Sequence, residues 1–420
     1  MKFRNFLSFI LIFILIVCQS AYAAPKADFS VSSESVVLID ASSGQAIYSK
    51  NPQKVQYPAG LTKIMAALVI IENGNLDELV TIEQSVIDAV VNTNNLGLVP
   101  GEVLTIRELL YGMLLQSYND CAVSAATKIF GSTDALVKKM NEKAAELGAT
   151  NTHFSNVTGI FNKENYTTAE DLALIMNYAA GEPVFMEIAG AKSYVLPMNT
   201  KVLYERTLVS KCNLLSSYEG ITSGLYGYTD EGKYTAVATA TKNGFNVICV
   251  TMNCIGEEER QNDIKKLLDF AFKNYHTITI SPEDVSIHLP SAKLKGLMGK
   301  TGEVTFSLPE AVMITVPIDA TVQNLTYTPN IEKGYKKASS YNATVGISFE
   351  EEKITDLTLN GTAVKKITFY NIIKTIFTII LVLILLFIAL CAYYIIDSER
   401  KKKKRRQDKM KRTLRVKKDI

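Results

Sequence analysis

A chain of 420 residues, 47% hydrophobic and 21% charged, can bury a sizeable core and is too long for one ordinary domain. Its formal net charge of +3 is uneven: 13 of the 45 Lys and Arg residues lie from Asp397 onward, and with Lys2 and Arg4 set aside the body holds 30 basic against 38 acidic residues. A mildly acidic body argues against nucleic acid as a partner, and three histidines and six cysteines without zinc-ligand spacing argue against a metal, so no cofactor is expected.

Residues 1–23 read as a secretory signal peptide, with a charged start, an apolar core from Phe6 to Val17 and the small-residue cleavage site Ala21-Tyr22-Ala23. Cys18 falls in this leader and Cys391 in a later apolar run. Of the four remaining, Cys249 and Cys254 could form a bridge, although buried free thiols are the favoured reading. Val36 to Asp40 and Gln45 to Tyr48 predict a hairpin around the turn Ser43-Gly44. After Pro58, apolar residues recur at Leu61, Ile64, Met65, Leu68 and Val69, the spacing of a buried helix entered at the proline. Lys63 then lies one turn past Gly60 on the same face, where burial demands a polar partner. Further on, Thr105 with Glu108 predicts a capping box, and the apolar face of that helix runs into Ser117-Tyr118-Asn119-Asp120.

The run Tyr57-Pro58-Ala59-Gly60-Leu61-Thr62-Lys63 resembles the P-A-S-x-T-K signature of the D-alanyl-D-alanine carboxypeptidases, the S11 penicillin-binding serine peptidases. Ser117 and Asn119 stand at the S-x-N positions of that family. Thr222-Ser223-Gly224 stands where it has K-T-G, followed by Tyr228-Thr229-Asp230-Glu231 in place of Y-T-x-E. A second alignment puts Leu225-Tyr226-Gly227 on K-T-G, and neither supplies the lysine. The literal Lys300-Thr301-Gly302 comes too late in the chain and reads as a turn between strands.

The resemblance implies an α/β (α+β) fold with a central antiparallel sheet between helices over residues 30–275. A small all-β accessory domain is expected over 276–367, then a transmembrane helix over 375–396 and a basic tail over 397–420. The excess of Lys and Arg after the span places the tail in the cytoplasm and the body outside, and could also hold anionic headgroups.

In the family, the first-motif serine attacks the peptide carbonyl and the lysine takes its proton. The second motif relays protons and holds the substrate amide, and the K-T-G lysine draws the terminal carboxylate. Carried over residue by residue, Lys63, Ser117 and Asn119 are the catalytic set, Gly60 replaces the nucleophile, and Thr222, Ser223 and Gly224 are the substrate-binding set. The expected function is a cell-envelope homologue without serine catalysis, binding the D-Ala-D-Ala stem peptide of peptidoglycan or a cell-wall protein. The alternatives are an active carboxypeptidase in which Ser117, activated by Lys63, is an unorthodox nucleophile, and a membrane-tethered scaffold. Lys63 is expected to persist as a charge bonded to Ser117 and Asn119, and Cys121 as a small packing residue.

Overall fold

A computed structural model describes residues 25–296, 299–336, 340–364 and 369–416; the signal peptide expected over 1–23 lies outside them. The chain forms two compact units. One comprises the residues up to His288 with Leu308–Thr328 and Val345–Leu357; the other comprises Leu289–Ser307, Pro329–Thr344 and Thr358 onward.

The first unit is organised by strands β1 (Ser35–Asp40) and β2 (Ala46–Lys50), then, after a long helical section, β7 (Ile221–Thr229), β8 (Lys233–Lys242) and β9 (Phe245–Cys254). They form one sheet in the order β2-β1-β9-β8-β7, antiparallel at every junction. The order leaves β7 as a free edge. The helices inserted between β2 and β7 include α1 (Thr62–Asn73), α3 (Ile106–Leu115), α4 (Asn119–Phe130), α5 (Thr133–Glu146), α6 (Ala169–Ala179) and α7 (Pro183–Ala189). The shorter α2 is Gln84–Ala89, and α8 (Leu214–Ser217) immediately precedes β7.

Helix α1 is buried from Thr62 through Ile70, so it is apolar nearly all round and runs through the middle of the helical layer. That layer packs on one face of the sheet through residues such as Leu61, Leu68, Leu110, Met176, Leu225 and Ile248. The other face is covered by α9 (Glu257–Asn274), whose Ile264, Leu267 and Leu268 meet Leu38, Ala236 and Cys249. Among the described residues the cysteines are free, and Cys121, Cys212, Cys249 and Cys254 are buried. Thr105 caps α3 through the predicted capping box with Glu108.

Strand β10 (Tyr275–Ile280) pairs antiparallel with β13 (Val312–Pro317) in the first unit. In the second unit, β11 (Ala292–Gly296) lies between β12 (Gly299–Ser307) and the parallel β15 (Gly334–Lys336). The triplet Lys300-Thr301-Gly302 is part of β12, not a turn: Lys300 is paired with Lys295 and Gly302 with Leu294 across a register shift. The final helix, α11 (Phe369–Val416), contains a stretch from Ile376 long and apolar enough to cross a membrane.

Candidate active-site cleft

The cleft lies where the start of α1, the junction of α3 with α4, and the free edge of β7 converge. It encloses about 370 Å³. Gly60, Lys63, Ser117 and Asn119 all line it, so the first two sequence motifs are brought together.

Pro58 precedes a single 3-10 turn, Ala59–Leu61, which runs directly into α1. Ala59 has a left-handed backbone, φ +50°, an uncommon state for a residue with a Cβ. Its carbonyl is pressed against Gly159, itself at φ +79°, so closely that a side chain at 159 would collide with it. Ser117 is also left-handed, at φ +57°, on the short connection between α3 and α4. Such strain persists only where surrounding contacts enforce it. Here Asn94 donates to the carbonyls of Gln116 (2.7 Å) and Ser117 (2.9 Å). The Asp120 carboxylate accepts from the N–H groups of Leu96, Gly97 and Leu98 at 3.0–3.1 Å, which fixes the loop following Asn94.

Lys63 is 1% exposed. It donates to Asn119 Oδ1 at 2.7 Å and to the Thr158 carbonyl. The expected bond to Ser117 is replaced by the one to Thr158, because the strained turn carries the Ser117 hydroxyl toward Gly60. A Cβ on Gly60 would lie 2.8 Å from Ser117 Oγ, with the Tyr226 carbonyl at 3.3 Å and Gly227 Cα at 3.4 Å. Desolvation, and then the neighbouring charge of Lys211, pull Lys63 down to about 7. Cys121 is fully buried, and desolvation followed by Asp120 pushes its thiol well up, so it is a packing residue rather than a nucleophile.

The structure places the expected substrate-binding set outside this cleft. Thr222 and Ser223 share hydrogen bonds with Thr239 (2.6 and 2.8 Å), and Gly224 packs against Cys212. None of the three lines the cleft; Tyr226, Gly227, Tyr228 and Thr229 do. The physical reason is a close approach of backbones. A side chain on Gly227 would stand 2.7 Å from Gly60 N, so only glycine lets β7 pass this near the start of α1. The geometry therefore follows the alignment of Leu225-Tyr226-Gly227 with K-T-G. Leu225 is buried in the core of the helical layer. The Tyr226 ring passes to the opposite face of the sheet, 3.8 Å from the Arg260 guanidinium.

Sequence reasoning missed two contributors. Thr158 supplies the carbonyl under Lys63, and the clue was Asn156-Val157-Thr158-Gly159: the Asn156 side chain accepts from Thr158 N and Gly159 N and turns the chain inward. Lys211, ahead of α8, stands in the same cleft, and desolvation lowers its pKa. Its backbone N–H is tied to the Leu115 carbonyl at 3.0 Å. Among the described residues, Lys63 and Lys211 are the charged groups lining the cleft, and no carboxylate does so.

Comparison with known proteins places these features in a family. The D-alanyl-D-alanine carboxypeptidase family model, Peptidase S11, matches residues 20–256. D-alanyl-D-alanine carboxypeptidase DacF of Bacillus subtilis is 32% identical over 320 residues, covering 74% of this chain and 81% of that protein. A D-alanyl-D-alanine carboxypeptidase structure from Mycobacterium tuberculosis superimposes with a TM-score of 0.54 at 30% identity, over 60% of this chain and 94% of that one. Penicillin binding protein 5 of Haemophilus influenzae, at 22% identity, shares the fold with a TM-score of 0.68 over 81% of this chain and 98% of its own. By the family match and the identity to the Bacillus subtilis relative, the chain belongs to the S11 D-alanyl-D-alanine carboxypeptidase family.

Proposed function

We propose that this protein is a non-catalytic member of its family, binding the D-Ala-D-Ala stem peptides of peptidoglycan at the cell envelope. The observation that carries this reading is Gly60. Serine acylation needs a hydroxyl on the first turn of α1, and here the space beside Gly60 is taken by the Ser117 hydroxyl. Loss of a hydrolase nucleophile lowers kcat on the order of a millionfold. Binding groups remain. Asn119 can hold a peptide amide, the edge of β7 can pair with an extended chain, and Lys211 can draw a terminal carboxylate in place of the missing K-T-G lysine. Thr222, Ser223 and Gly224 lie outside the cleft that supports this reading.

The apolar stretch of α11 would anchor the protein, with the following Lys- and Arg-rich residues in the cytoplasm and the family domain outside. The β-rich stretch 276–367 would act as a spacer or a surface for a wall protein.

Intact mass after incubation with a reporter penicillin tests the reading. The natural protein is expected to stay unlabelled and a Gly60→Ser variant to gain one adduct. Labelling of the natural protein would overturn the proposal, and peptide mapping to Ser117 would identify the substitute nucleophile.

A further inference from the structure

The floor and rim of the cleft differ in a way that bears on which peptide it takes. At the rim, Lys211 is an exposed cation. At the floor, Lys63 is enclosed, with Asn119 Oδ1 and the Thr158 carbonyl as its acceptors, and Gly60 and Ser117 line the same cleft. Both acceptors are neutral, so neither balances an ammonium. Among the facing groups, Asp120 and Cys121 on α4 favour the ammonium and Lys211 opposes it, but none makes a direct ion pair: the Asp120 carboxylate is held by the N–H groups of Leu96, Gly97 and Leu98. An ammonium held directly only by neutral acceptors at the floor of a cleft is a receptor for an anionic oxygen.

We infer that the floor of this cleft receives a terminal carboxylate, so that its preferred ligand is a stem peptide from which the last D-Ala has already been removed. The inference rests on the stem-peptide reading above and specifies its ligand. An intact D-Ala-D-Ala peptide, laid along β7 with its terminal carboxylate near Lys211, presents a neutral amide to Lys63. A peptide shorter by one residue presents its new carboxylate there instead. The hydrolysis of a terminal D-Ala, performed by an active enzyme, must then supply the ligand. Because burial and Lys211 hold Lys63 near 7, its ammonium is fully present only below that pH. A bound carboxylate stabilises the ammonium and raises its pKa, so the preference for the trimmed peptide should be greatest in mildly acidic solution and fade as pH rises past neutrality.

The test is isothermal titration of the full-length protein in detergent with two synthetic stem peptides, one ending in D-Ala and one in D-Ala-D-Ala, at pH 6 and pH 8.5. The trimmed peptide is expected to bind about tenfold more tightly at pH 6, with the ratio shrinking at pH 8.5. Lys63→Met is expected to equalise the two peptides. If the intact peptide binds equally or better at pH 6, this inference falls while the stem-peptide reading stands. A pH-independent preference, or one that survives in Lys63→Met, also overturns it. If neither peptide binds, the stem-peptide reading fails and takes the inference with it. The wild-type titrations decide between the peptides even if Lys63→Met does not fold.

Discussion

The Ser117 hydroxyl lies 2.8 Å from the point at which a side chain on Gly60 would begin. The contact is to the end of a short side chain rather than to backbone, so a small group at position 60 can enter if that hydroxyl rotates away. Gly60→Ala is therefore expected to fold, with stability changed by no more than about 1 kcal/mol, since the crowding is offset by the loss of glycine's unfolded-state entropy. Thermal unfolding of both forms checks this, and a Tm drop of more than about 4 °C would contradict it.

Gly227 is different. Its Cβ would meet Gly60 N and Thr235 Oγ1, both at 2.7 Å, and the first of these is backbone. Gly227→Ala should push β7 away from the start of α1 and cost about 1–3 kcal/mol, typical of overpacking. Urea unfolding measures the loss, and weaker stem-peptide binding should accompany it.

Lys63 makes stability depend on pH with a definite sign. Its folded pKa, about 7, lies below the ordinary value, near 10.4, that it regains on unfolding. Between those values the unfolded chain binds more protons, so the native state gains stability as pH rises from 7 toward 10, by at most roughly 1.4 kcal/mol per pH unit from this group. The destabilising contribution is complete below pH 7, where the group is charged in both states. Subtracting urea-unfolding free energies of Lys63→Met from those of the natural protein at pH 7 and pH 9 isolates it. A difference that stays flat would mean that Lys63 keeps its proton throughout.

Glu102 is fully buried and accepts from Arg206 and, at 3.0 Å, from Asn199 Nδ2. It joins the loop ahead of α3 to the hairpin of β5 (Ser193–Leu196) and β6 (Arg206–Val209). Glu102→Ala leaves the Arg206 cation buried without its carboxylate, which should cost about 3–5 kcal/mol. Amide hydrogen exchange should show the hairpin opening first, and protection unchanged there would argue against the tie.

Lys211→Met should leave Tm within about 2 °C and weaken binding of the intact D-Ala-D-Ala peptide roughly tenfold or more, the worth of a charge-assisted hydrogen bond. An unchanged Kd would remove Lys211 from the recognition of the carboxylate.

Much of this site was legible where local rules apply. Pro58 and the spacing from Leu61 to Val69 locate α1, and Thr105 with Glu108 locates the start of α3. The K-T-G position was not resolved locally, because Thr222-Ser223-Gly224 and Leu225-Tyr226-Gly227 are both triplets ending in glycine on one strand. A shift of three residues exchanges the faces of a strand, and what chooses between the triplets is the contact of Gly227 with Gly60, far away in sequence. Lys211 carried no signal at all, since its place in the cleft comes from the fold around it. Lys300-Thr301-Gly302 illustrates the converse: a turn-like triplet became strand because β11 pairs with it.

The Tyr226 ring, held against Arg260 behind the sheet, bears on how the site can change. It is stacked on a guanidinium that also faces the Tyr234 ring at 5.5 Å. Replacing the tyrosine with threonine would empty that space and strip Arg260, already 97% enclosed, of its nearest aromatic partner. Position 60 can therefore be changed alone, whereas position 226 is coupled to Arg260 and Tyr234, so the two sides of the cleft differ in how independently they can vary.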